Sequence, residues 1–442
     1  MILGRKRRKS TTRKVIDAEL DRISCLPGHV IDQILSCLPI REAVRTSVLS
    51  SQWRYKWYTL PNLVFDRRCV SARGSQDPLD IENKLLKIVD HVLLLHSGPI
   101  NKFEFSDSGQ DFVEGIPGNE FDRWIVYLIG RSIKELVLHV LAEDEIYKIP
   151  WCLFSCQSLQ RLKLACCWLK PPTTFEGFRN LKRLELHNIS MADAAFEKMI
   201  SGCPLLEYLS LIEPDGLTQV NIHAPNLKFF SLLGDFVDFS FYNSFQLTEL
   251  SLLFDTQSNQ SRLRGCSSNL LSYFAHLPHL QHLDISHHFL KYLAAGDVPV
   301  PVKLPTTFVN LSFLFICIRF NDMKEVLAAL CLLRSSPNLQ RLEIIADYKE
   351  ADVHLTLGSY CWEDTFSGPA MPIQVRHVGI GGIAGIKSEL DFIKFLLMYS
   401  PMLEKMIVKP VEYARADLLT KLVRFRRASV QAEVIYEGKD SS

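Results

Sequence analysis

The sequence predicts an α/β protein: a short N-terminal helical unit, then a right-handed solenoid of parallel strands with irregular repeats, then a distinct closing unit. Three observations predict this fold. Residues 21–66 carry large apolar side chains at helical spacing. From residue 100 onwards, one short apolar pattern returns at intervals of 20 to 36 residues, which is typical of a solenoid whose strands are shielded by their neighbours. Between residues 361 and 412 the order becomes strand, glycine-rich turn, helix and strand.

The helical unit begins at Leu26-Pro27, because proline pre-sets φ and loses no hydrogen bond in a first helical turn. Pro39 ends this helix, and a second helix follows from about Arg41. Three dozen residues cannot bury all the large side chains on these helices, so the unit is predicted to dock on a partner. The candidate docking residues are Leu26, Pro27, Val30, Ile31, Ile34, Leu35, Leu38, Pro39, Val44, Val48, Leu49, Trp53 and Trp57.

The stretch from Asp21 to Trp57, DRISCLPGHVIDQILSCLPIREAVRTSVLSSQWRYKW, closely resembles the F-box of a large plant family. The resemblance implies an F-box over residues 21–66 that binds a Skp-type adaptor and, through it, a cullin. In the alternative interpretation these helices only cap the first repeat. A repeat cap should be polar on its outer face, whereas this unit stays apolar on several sides.

The repeating pattern is apolar-x-x-apolar-x-apolar, and we predict twelve repeats from it. Its first anchors are Ile100, Ile133, Leu159, Leu181, Leu206, Leu227, Leu247, Leu280, Leu311, Leu339, Val375 and Leu403. The pattern resembles leucine-rich repeats, although only the unit at Leu159 keeps the longer consensus, so we expect an irregular array. An amphipathic helix over Ile81–Leu95 is predicted to precede it, giving a linker-helix and repeat region over residues 67–360.

The closing unit reads as a strand from Gln374 to Ile380, a glycine-rich turn, a helix capped by Ser388 and a further strand after Pro401. This order resembles the FBD domain that ends many plant F-box and leucine-rich-repeat proteins. The expected limits are residues 361–412 for an FBD-like domain and residues 413–442 for a C-terminal tail.

Strand alternation predicts which repeat side chains face a target protein. The residues on either side of the second anchor point away from the leucine ridge, onto the concave face. Aromatic residues exposed on adjacent strands are typical of binding hot spots. The candidate target-binding residues are Arg161, Arg183, Tyr208, Phe229, Phe313, Phe315 and Arg341. In the alternative, irregular loops cover this face.

Charge and hydropathy exclude several classes of partner. Fifty basic and forty-nine acidic residues leave a net charge of +1, so no global field draws the chain to nucleic acid or to a membrane. No apolar run approaches the roughly eighteen residues that span a bilayer. Residues 1–20 are predicted to be disordered, and the basic run Arg5–Lys9 within them is either a nuclear-import signal or a solvated tail. We expect the protein in the nucleus, the cytoplasm or both.

Neither a cofactor, a metal nor a catalytic centre is expected. Gly379–Ala384 fits the dinucleotide fingerprint G-x-G-x-x-A, but Gly385–Lys387 separate it from the helix that would meet a pyrophosphate. The histidines between residues 276 and 288 and the cysteines between 152 and 167 lack metal-ligand spacing. Nucleophile-elbow, zinc-hydrolase and P-loop motifs are missing from the sequence.

Taken together, the three resemblances imply a non-catalytic substrate-recognition subunit of an SCF-type cullin-RING ubiquitin ligase. The F-box would bind the adaptor, and the repeats would hold an unknown target protein for ubiquitination. Two other interpretations stay open from the sequence. One is a repeat scaffold that binds a protein without ubiquitination, and the other is a nucleic-acid-binding module that relies on the basic N-terminus.

Overall fold

The computed structural model describes residue 23 and residues 26–70, 78–106, 118–139, 146–234, 238–254, 274, 277–294, 300–304, 306–347, 372–412, 414 and 417–438. The predicted disordered tail at residues 1–20 lies outside this part of the chain. The chain divides into two compact units, one within residues 1–168 and the other within residues 169–442. No helix in the described ranges is both long enough and apolar enough to cross a membrane.

The first unit holds the F-box-like helices and the first strands of the repeat array. Its helices are α1 (Gly28–Ser36), α2 (Ile40–Arg45), α3 (Pro78–Leu95) and α4 (Gly118–Gly130). Its strands are β1 (Asn62–Phe65), β2 (Lys102–Phe105), β3 (Glu135–His139), β4 (Tyr147–Lys148) and β5 (Arg161–Trp168). Short 3₁₀ turns lie at Thr46–Val48, Lys56–Thr59, Arg67–Cys69 and Trp151–Ser155. The predicted amphipathic helix is α3, which begins three residues earlier than expected.

The F-box-like helices begin at prolines and enclose a small core. Pro27 and Pro39 are the N-caps of α1 and α2, with extended backbones at ψ 143° and 146°, so each proline ends one segment and directs the next. The fully or nearly fully buried apolar residues are Ile31, Leu35, Ile40, Ala43, Trp53, Trp57 and Leu60. This core joins the repeat strands of the same unit, because α2 contacts β1. The Arg41 guanidinium also donates to the Arg68 carbonyl, at 3.1 Å.

Strands β1, β2, β3 and β5 pair in parallel, in that order. Their register aligns the second anchors of successive repeats, Leu63, Phe103, Leu136 and Leu162, and all four are buried. β1 is therefore a repeat strand that the sequence analysis missed. Its signal was present, since Leu60, Leu63 and Phe65 have the same spacing as the other anchors.

The second unit continues the same construction. Its strands are β6 (Arg183–Ser190), β7 (Tyr208–Ile212), β8 (Gln219–His223), β9 (Phe229–Gly234), β10 (Asp238–Tyr242), β11 (Glu249–Phe254), β12 (His282–Ile285), β13 (Phe313–Ile318), β14 (Arg341–Ala346), β15 (His377–Ile383), β16 (Lys405–Pro410) and β17 (Glu433–Tyr436). Its helices are α5 (Asp193–Ser201), α6 (His287–Leu293), α7 (Met323–Arg334), α8 (Lys387–Tyr399) and α9 (Leu418–Arg424). The main sheet of this unit runs β6-β7-β9-β11-β12-β13-β14-β15-β16-β17, whereas β8 and β10 pair separately.

Every one of the twelve predicted repeats forms a strand, and the strands pair in parallel within each unit. In the second unit the register again aligns the second anchors, which are Leu184, Leu209, Phe230, Leu250, Leu283, Leu314, Leu342, Val378 and Met406. All nine are buried. The predicted leucine-rich-repeat class is thus confirmed, because the anchors of neighbouring strands are aligned and buried along one continuous ridge.

Asparagine side chains link consecutive turns of the array. The Asn226 amide donates to the carbonyl of Pro204, the Asn310 amide to Pro278, and the Asn338 amide to Val309, each at 2.8 Å. In all three pairs the asparagine precedes the first anchor of its repeat, and the acceptor lies two residues before the first anchor of the previous repeat. This regular bond explains why asparagine recurs at that position.

One irregular repeat compensates for a residue that cannot fill its consensus role. Arg319 stands where leucine-rich repeats use Asn or Cys, and its side chain has no acceptor. The Glu325 Oε2 instead accepts from the Arg319 amide at 2.9 Å, and the guanidinium binds Asp347 at 3.3 Å. A neighbouring helix and strand therefore provide what the repeat lacks.

The FBD-like region begins its helix one residue before the predicted cap. Ser388 lies inside the first turn of α8, and the loop is held instead by Glu389. The buried carboxylate of Glu389 accepts from the backbone amides of residues 384, 385 and 386, at 2.6 to 3.1 Å. Gly382 before it has φ +74°, and a Cβ there would lie 2.6 Å from the Ala346 carbonyl oxygen. The glycine-rich sequence thus makes a tight turn against the previous strand.

The segment expected to be a C-terminal tail is part of the fold where it is described. Helix α9 buries Leu418 and Leu422, and β17 pairs in parallel with β16, aligning Val434 with Met406. The sequence signal was weak, because Gln431 occupies the place of the first anchor.

Candidate functional site

The thirteen candidate docking residues of the helical unit separate into two groups by burial. Ile31, Leu35, Trp53 and Trp57 are buried in the core of the unit, so they support the unit and offer no surface. The other nine are exposed or half-buried, and we call them the F-box surface: Leu26, Pro27, Val30, Ile34, Leu38, Pro39, Val44, Val48 and Leu49.

The most accessible part of the F-box surface lies at the 3₁₀ turn after α2. Val48 is 87% exposed and Leu49 is 57% exposed, and on α1 Ile34 is 39% exposed. Leaving such aliphatic side chains in water forgoes about 1.5–3 kcal/mol each relative to full burial. Tyr55 is 58% exposed and Ile23 is 57% exposed, and neither was among the candidates. Tyr55 could have been found as a large aromatic residue that lies between the two core tryptophans in the sequence.

A second candidate surface lies on the sheet of the second unit. The residues just before the second anchors stand side by side in the register of seven adjacent strands, and none of them is buried. We call this row the sheet-face ladder: Arg183, Tyr208, Phe229, Glu249, His282, Phe313 and Arg341.

One end of the ladder is a stacked block. The Arg183 guanidinium lies 3.6 Å from the centroid of the Tyr208 ring, and the Tyr208 and Phe229 rings stack at 4.1 Å with an interplanar angle of 2°. Glu185 accepts from the Arg183 Nε at 2.6 Å. Cation–π contact and stacking fix these side chains in one arrangement before any partner arrives.

The other end repeats this chemistry. The Arg341 guanidinium lies 5.6 Å from the Phe313 ring centroid and binds Glu343 at 2.9 Å. His282, on the strand on the other side of Phe313, packs against it with the two ring centroids 5.1 Å apart. Gly379 on the next strand makes room for Glu343, because a Cβ there would lie 2.1 Å from the Glu343 Oε2.

The centre of the ladder is acidic. Glu249 is exposed and has no ion-pair partner among the described residues. Asp284, one strand over and two residues further along, is half-buried. Burial raises the pKa of the Asp284 carboxyl, a hydrogen bond from Ser251 and the neighbouring His282 oppose this, and the charge of Glu249 adds to the rise.

The structure brings six of the seven candidate target-binding residues onto one sheet. Phe315 lies in the row beside the ladder, in register with Asp284 and Glu343. The seventh, Arg161, is in β5 and belongs to the first unit. Their role in binding stays a prediction. Within the described ranges no group of three or more His, Cys, Asp or Glu side chains is arranged to hold a metal ion.

The chain matches known proteins over most of its length. The family model described as "FBD-associated F-box protein At5g56370, LRR repeats" matches residues 121–344, more than half of the chain. An F-box/FBD/LRR-repeat protein of Arabidopsis thaliana, At1g13570, is 39% identical over 421 residues, covering 94% of this chain and 98% of the relative. The chain belongs to the F-box/FBD/LRR-repeat protein family.

Other members of the family agree with this assignment. The FBD-associated F-box protein At5g56370 of Arabidopsis thaliana is 24% identical over 452 residues, covering 94% of this chain and all of the relative. The F-box/LRR-repeat protein At3g59200 of the same plant is 34% identical over 219 residues, covering 48% of this chain and 39% of the relative. The F-box domain model matches residues 23–65, which include the whole F-box surface.

Membership in this family gives the general role of each part. F-box proteins are generally substrate receptors of SCF complexes, in which the F-box binds a Skp-type adaptor and leucine-rich repeats bind protein targets. The names of the family and of its members point to proteins of the adaptor type. The resemblance stated from the sequence is thereby confirmed.

Proposed function

We propose that this protein is the substrate-recognition subunit of an SCF-type cullin-RING ubiquitin ligase. Its F-box surface binds the Skp-type adaptor, which links the chain to the cullin, and the sheet-face ladder holds the target protein. The observation that carries the proposal is the exposed aliphatic set at Val48, Leu49 and Ile34, which the core of the F-box leaves uncovered.

The physical case for adaptor binding rests on burial. A specific protein interface buries on the order of 1,600 Å² in total, and nine accessible apolar residues or prolines within a stretch of 24 residues supply a continuous candidate for its centre. Two pairs of charged side chains close to this stretch neutralise each other, in the ion pairs Lys56–Asp32 and Arg45–Glu42, both at 3.1 Å. Docking on the aliphatic residues therefore leaves these four charges compensated.

In this proposal the chain contributes position. A target held on the repeats and a conjugating enzyme bound to the cullin meet at a raised effective concentration. Transfer of ubiquitin to a target lysine is then carried out by other subunits.

Affinity purification with the proteasome inhibited tests the proposal. Wild-type protein should retain the Skp-type adaptor, the cullin and a set of ubiquitinated proteins, whereas Val48→Ser with Leu49→Ser should lose the adaptor and cullin. A wild-type protein that retains partners but neither adaptor nor cullin would instead support the scaffold without ubiquitination.

We also propose that the basic run Arg5–Lys9 directs the protein to the nucleus. Five consecutive basic residues are the motif that supports it. Replacing all five by Ser in a fluorescent fusion should lower the nuclear-to-cytoplasmic ratio, and an unchanged ratio would contradict it.

A further inference from the structure

We infer that the target presents a basic segment whose Lys or Arg side chain binds between the two ends of the sheet-face ladder, at Glu249 and Asp284. The inference rests on the proposed role of the ladder as the target-binding face, and it adds the chemistry of the partner. The charge pattern, the aromatic neighbours and the state of Asp284 support it separately.

The charge pattern leaves two described carboxylates on this face without a lysine or arginine partner. At the two ends, each arginine is paired with the acid two residues later on its own strand, Arg183 with Glu185 and Arg341 with Glu343. These pairs cancel in charge. The carboxylates left over on the face from β6 to β14 are Glu249 and Asp284, which together carry −2, and no lysine or arginine pairs with either of them among the described residues.

The acidic centre also lies between aromatic rings. Glu249 is in register with Phe229, and Asp284 is in register with Phe315. One face of the Phe229 ring is covered by Tyr208, so its opposite face is directed toward the strand that carries Glu249. Strands lie about 4.8 Å apart, and a cation is attracted to a ring within about 6 Å of its centroid. A cation at Glu249 would thus lie within reach of the Phe229 ring.

The state of Asp284 shows why a cation would be favoured. Burial raises the pKa of its carboxyl and the like charge of Glu249 adds to the rise, while a hydrogen bond from Ser251 and the neighbouring His282 oppose it only in part. A lysine or arginine from the target would add to this opposition, since an opposite charge stabilises the ionised form. Arginine suits the site best because its planar group both binds carboxylates and stacks on rings. Nucleic acid and acidic peptides would be repelled by the same two carboxylates.

Peptide selection on the full-length protein tests this chemistry. Random dodecapeptides displayed on phage are selected on the wild type and counter-selected on Glu249→Gln with Asp284→Asn, which keeps the side-chain shapes and removes both charges. The counter-selection also discards peptides that bind the F-box surface. We expect the survivors to be enriched in Lys or Arg relative to the starting library. Survivors enriched in acidic residues, survivors without charge preference, or no survivors would overturn the inference.

Calorimetry on one selected peptide gives the size of the effect. Glu249→Gln and Asp284→Asn should each weaken its binding at least tenfold. Glu176→Gln is the matched control, because Glu176 is an exposed acid of the same unit, paired with Arg179 away from the ladder; it should leave the affinity unchanged. Equal affinities for the wild type and both ladder variants would refute the site. The peptide result does not involve the adaptor, so the ligase role can fail in purification while this inference stands, and the reverse.

Discussion

The two candidate surfaces of this protein differ in how much of their organisation precedes binding. The F-box surface is aliphatic, and Val48 at 87% exposure contacts little of its own chain. The sheet-face ladder is aromatic and charged, and its members already stack and pair with each other, as Tyr208 does with Phe229 and Arg183. Binding at the F-box surface should therefore be driven by desolvation of its aliphatic side chains. Binding at the sheet-face ladder should depend on how well a partner fits its ordered side chains.

This difference predicts how each surface responds to conditions and to substitution. Hydrophobic burial is non-directional and scales with area, so the F-box surface should tolerate changes of shape and be insensitive to salt. Side chains that are ordered beforehand cost less entropy on binding, but they lose fit when one member changes. The ladder should therefore respond sharply to single substitutions, and its acidic centre should weaken as salt rises.

The largest effect is expected when a core residue of the F-box is replaced, in comparison with a replacement on its surface. Trp57 is only 5% exposed, so Trp57→Ala should destabilise the F-box by about 3–5 kcal/mol and abolish adaptor binding with it. Val48→Ala with Leu49→Ala should reduce adaptor binding while leaving stability nearly unchanged. Denaturant unfolding and adaptor pull-down on both variants make this comparison. If the surface pair unfolds the protein as readily as the tryptophan, the assignment of Val48 and Leu49 to an interface is wrong.

The next largest effect concerns the stacked block of the ladder. Tyr208→Ala with Phe229→Ala removes two hot-spot candidates, each typically costing about 2 kcal/mol or more at an interface centre, so target affinity should fall at least roughly 30-fold. Tyr242→Ala with Phe245→Ala is the control, since this pair has the same residue types, is exposed in the same unit and is not on the ladder. Target binding that drops equally in both variants would show that the ladder has no special role.

A smaller effect should follow when the Arg183 guanidinium is replaced by another group with the same positive charge. Arg183→Lys keeps the positive charge but loses the planar group that lies over Tyr208, and a cation–π contact at an exposed site contributes about 0.5–1 kcal/mol. Target affinity should decrease about two- to fivefold. Arg179→Lys, which alters an exposed pair with Glu176, should have no effect in the same titration. An Arg183→Lys variant as tight as wild type would mean that charge alone matters there.

A last effect concerns the repeats alone and is measured as the pH dependence of their stability. Burial raises the pKa of Glu325 from its ordinary 4.5 to about 8, so the folded protein holds a proton that the unfolded chain releases above about pH 4.5. The stability that the folded protein gains from keeping this proton is fully present below that pH and is lost as pH rises toward 8. Glu325→Gln should make Tm of the repeats less dependent on pH between 5 and 9. If Tm of the variant depends on pH as steeply as that of the wild type, the pH dependence does not come from Glu325.

The sequence predicted the parts of the fold that depend on regular spacing. All twelve repeat strands followed from anchors such as Leu206 and Leu209, because a buried ridge requires apolar residues at fixed positions. β1 had the same signal and was overlooked. Strands β8 and β10 were overlooked as well, although Leu217, Val220 and Ile222 and then Phe236, Phe239 and Phe241 have the anchor spacing. The final strand β17 could not be read in this way, since Gln431 stands at its first anchor, and it aligns Val434 with Met406 through pairing with its neighbour.

The candidate surfaces were predicted less completely. Sequence spacing placed Tyr208 and Phe229 on adjacent strands, and the structure stacks them. Spacing alone could not divide the F-box residues into core and surface, because Trp53 and Val48 both fit a helical apolar pattern while only one is buried. Nor could it show that each ladder arginine is neutralised by its own strand, which depends on side-chain geometry.

The most direct test is a calorimetric titration of the purified Skp-type adaptor into the wild type and into Leu26→Ala with Pro27→Ala. Both residues lie on the F-box surface at the start of α1, in the first unit, whereas the ladder belongs to the second unit. The wild type should bind, the variant should bind at least roughly 30-fold more weakly, and the thermal transition of the repeats should be the same in both. Equal affinities, or no binding by the wild type, would mean that the helical unit is only a cap and that this chain is not a ligase receptor.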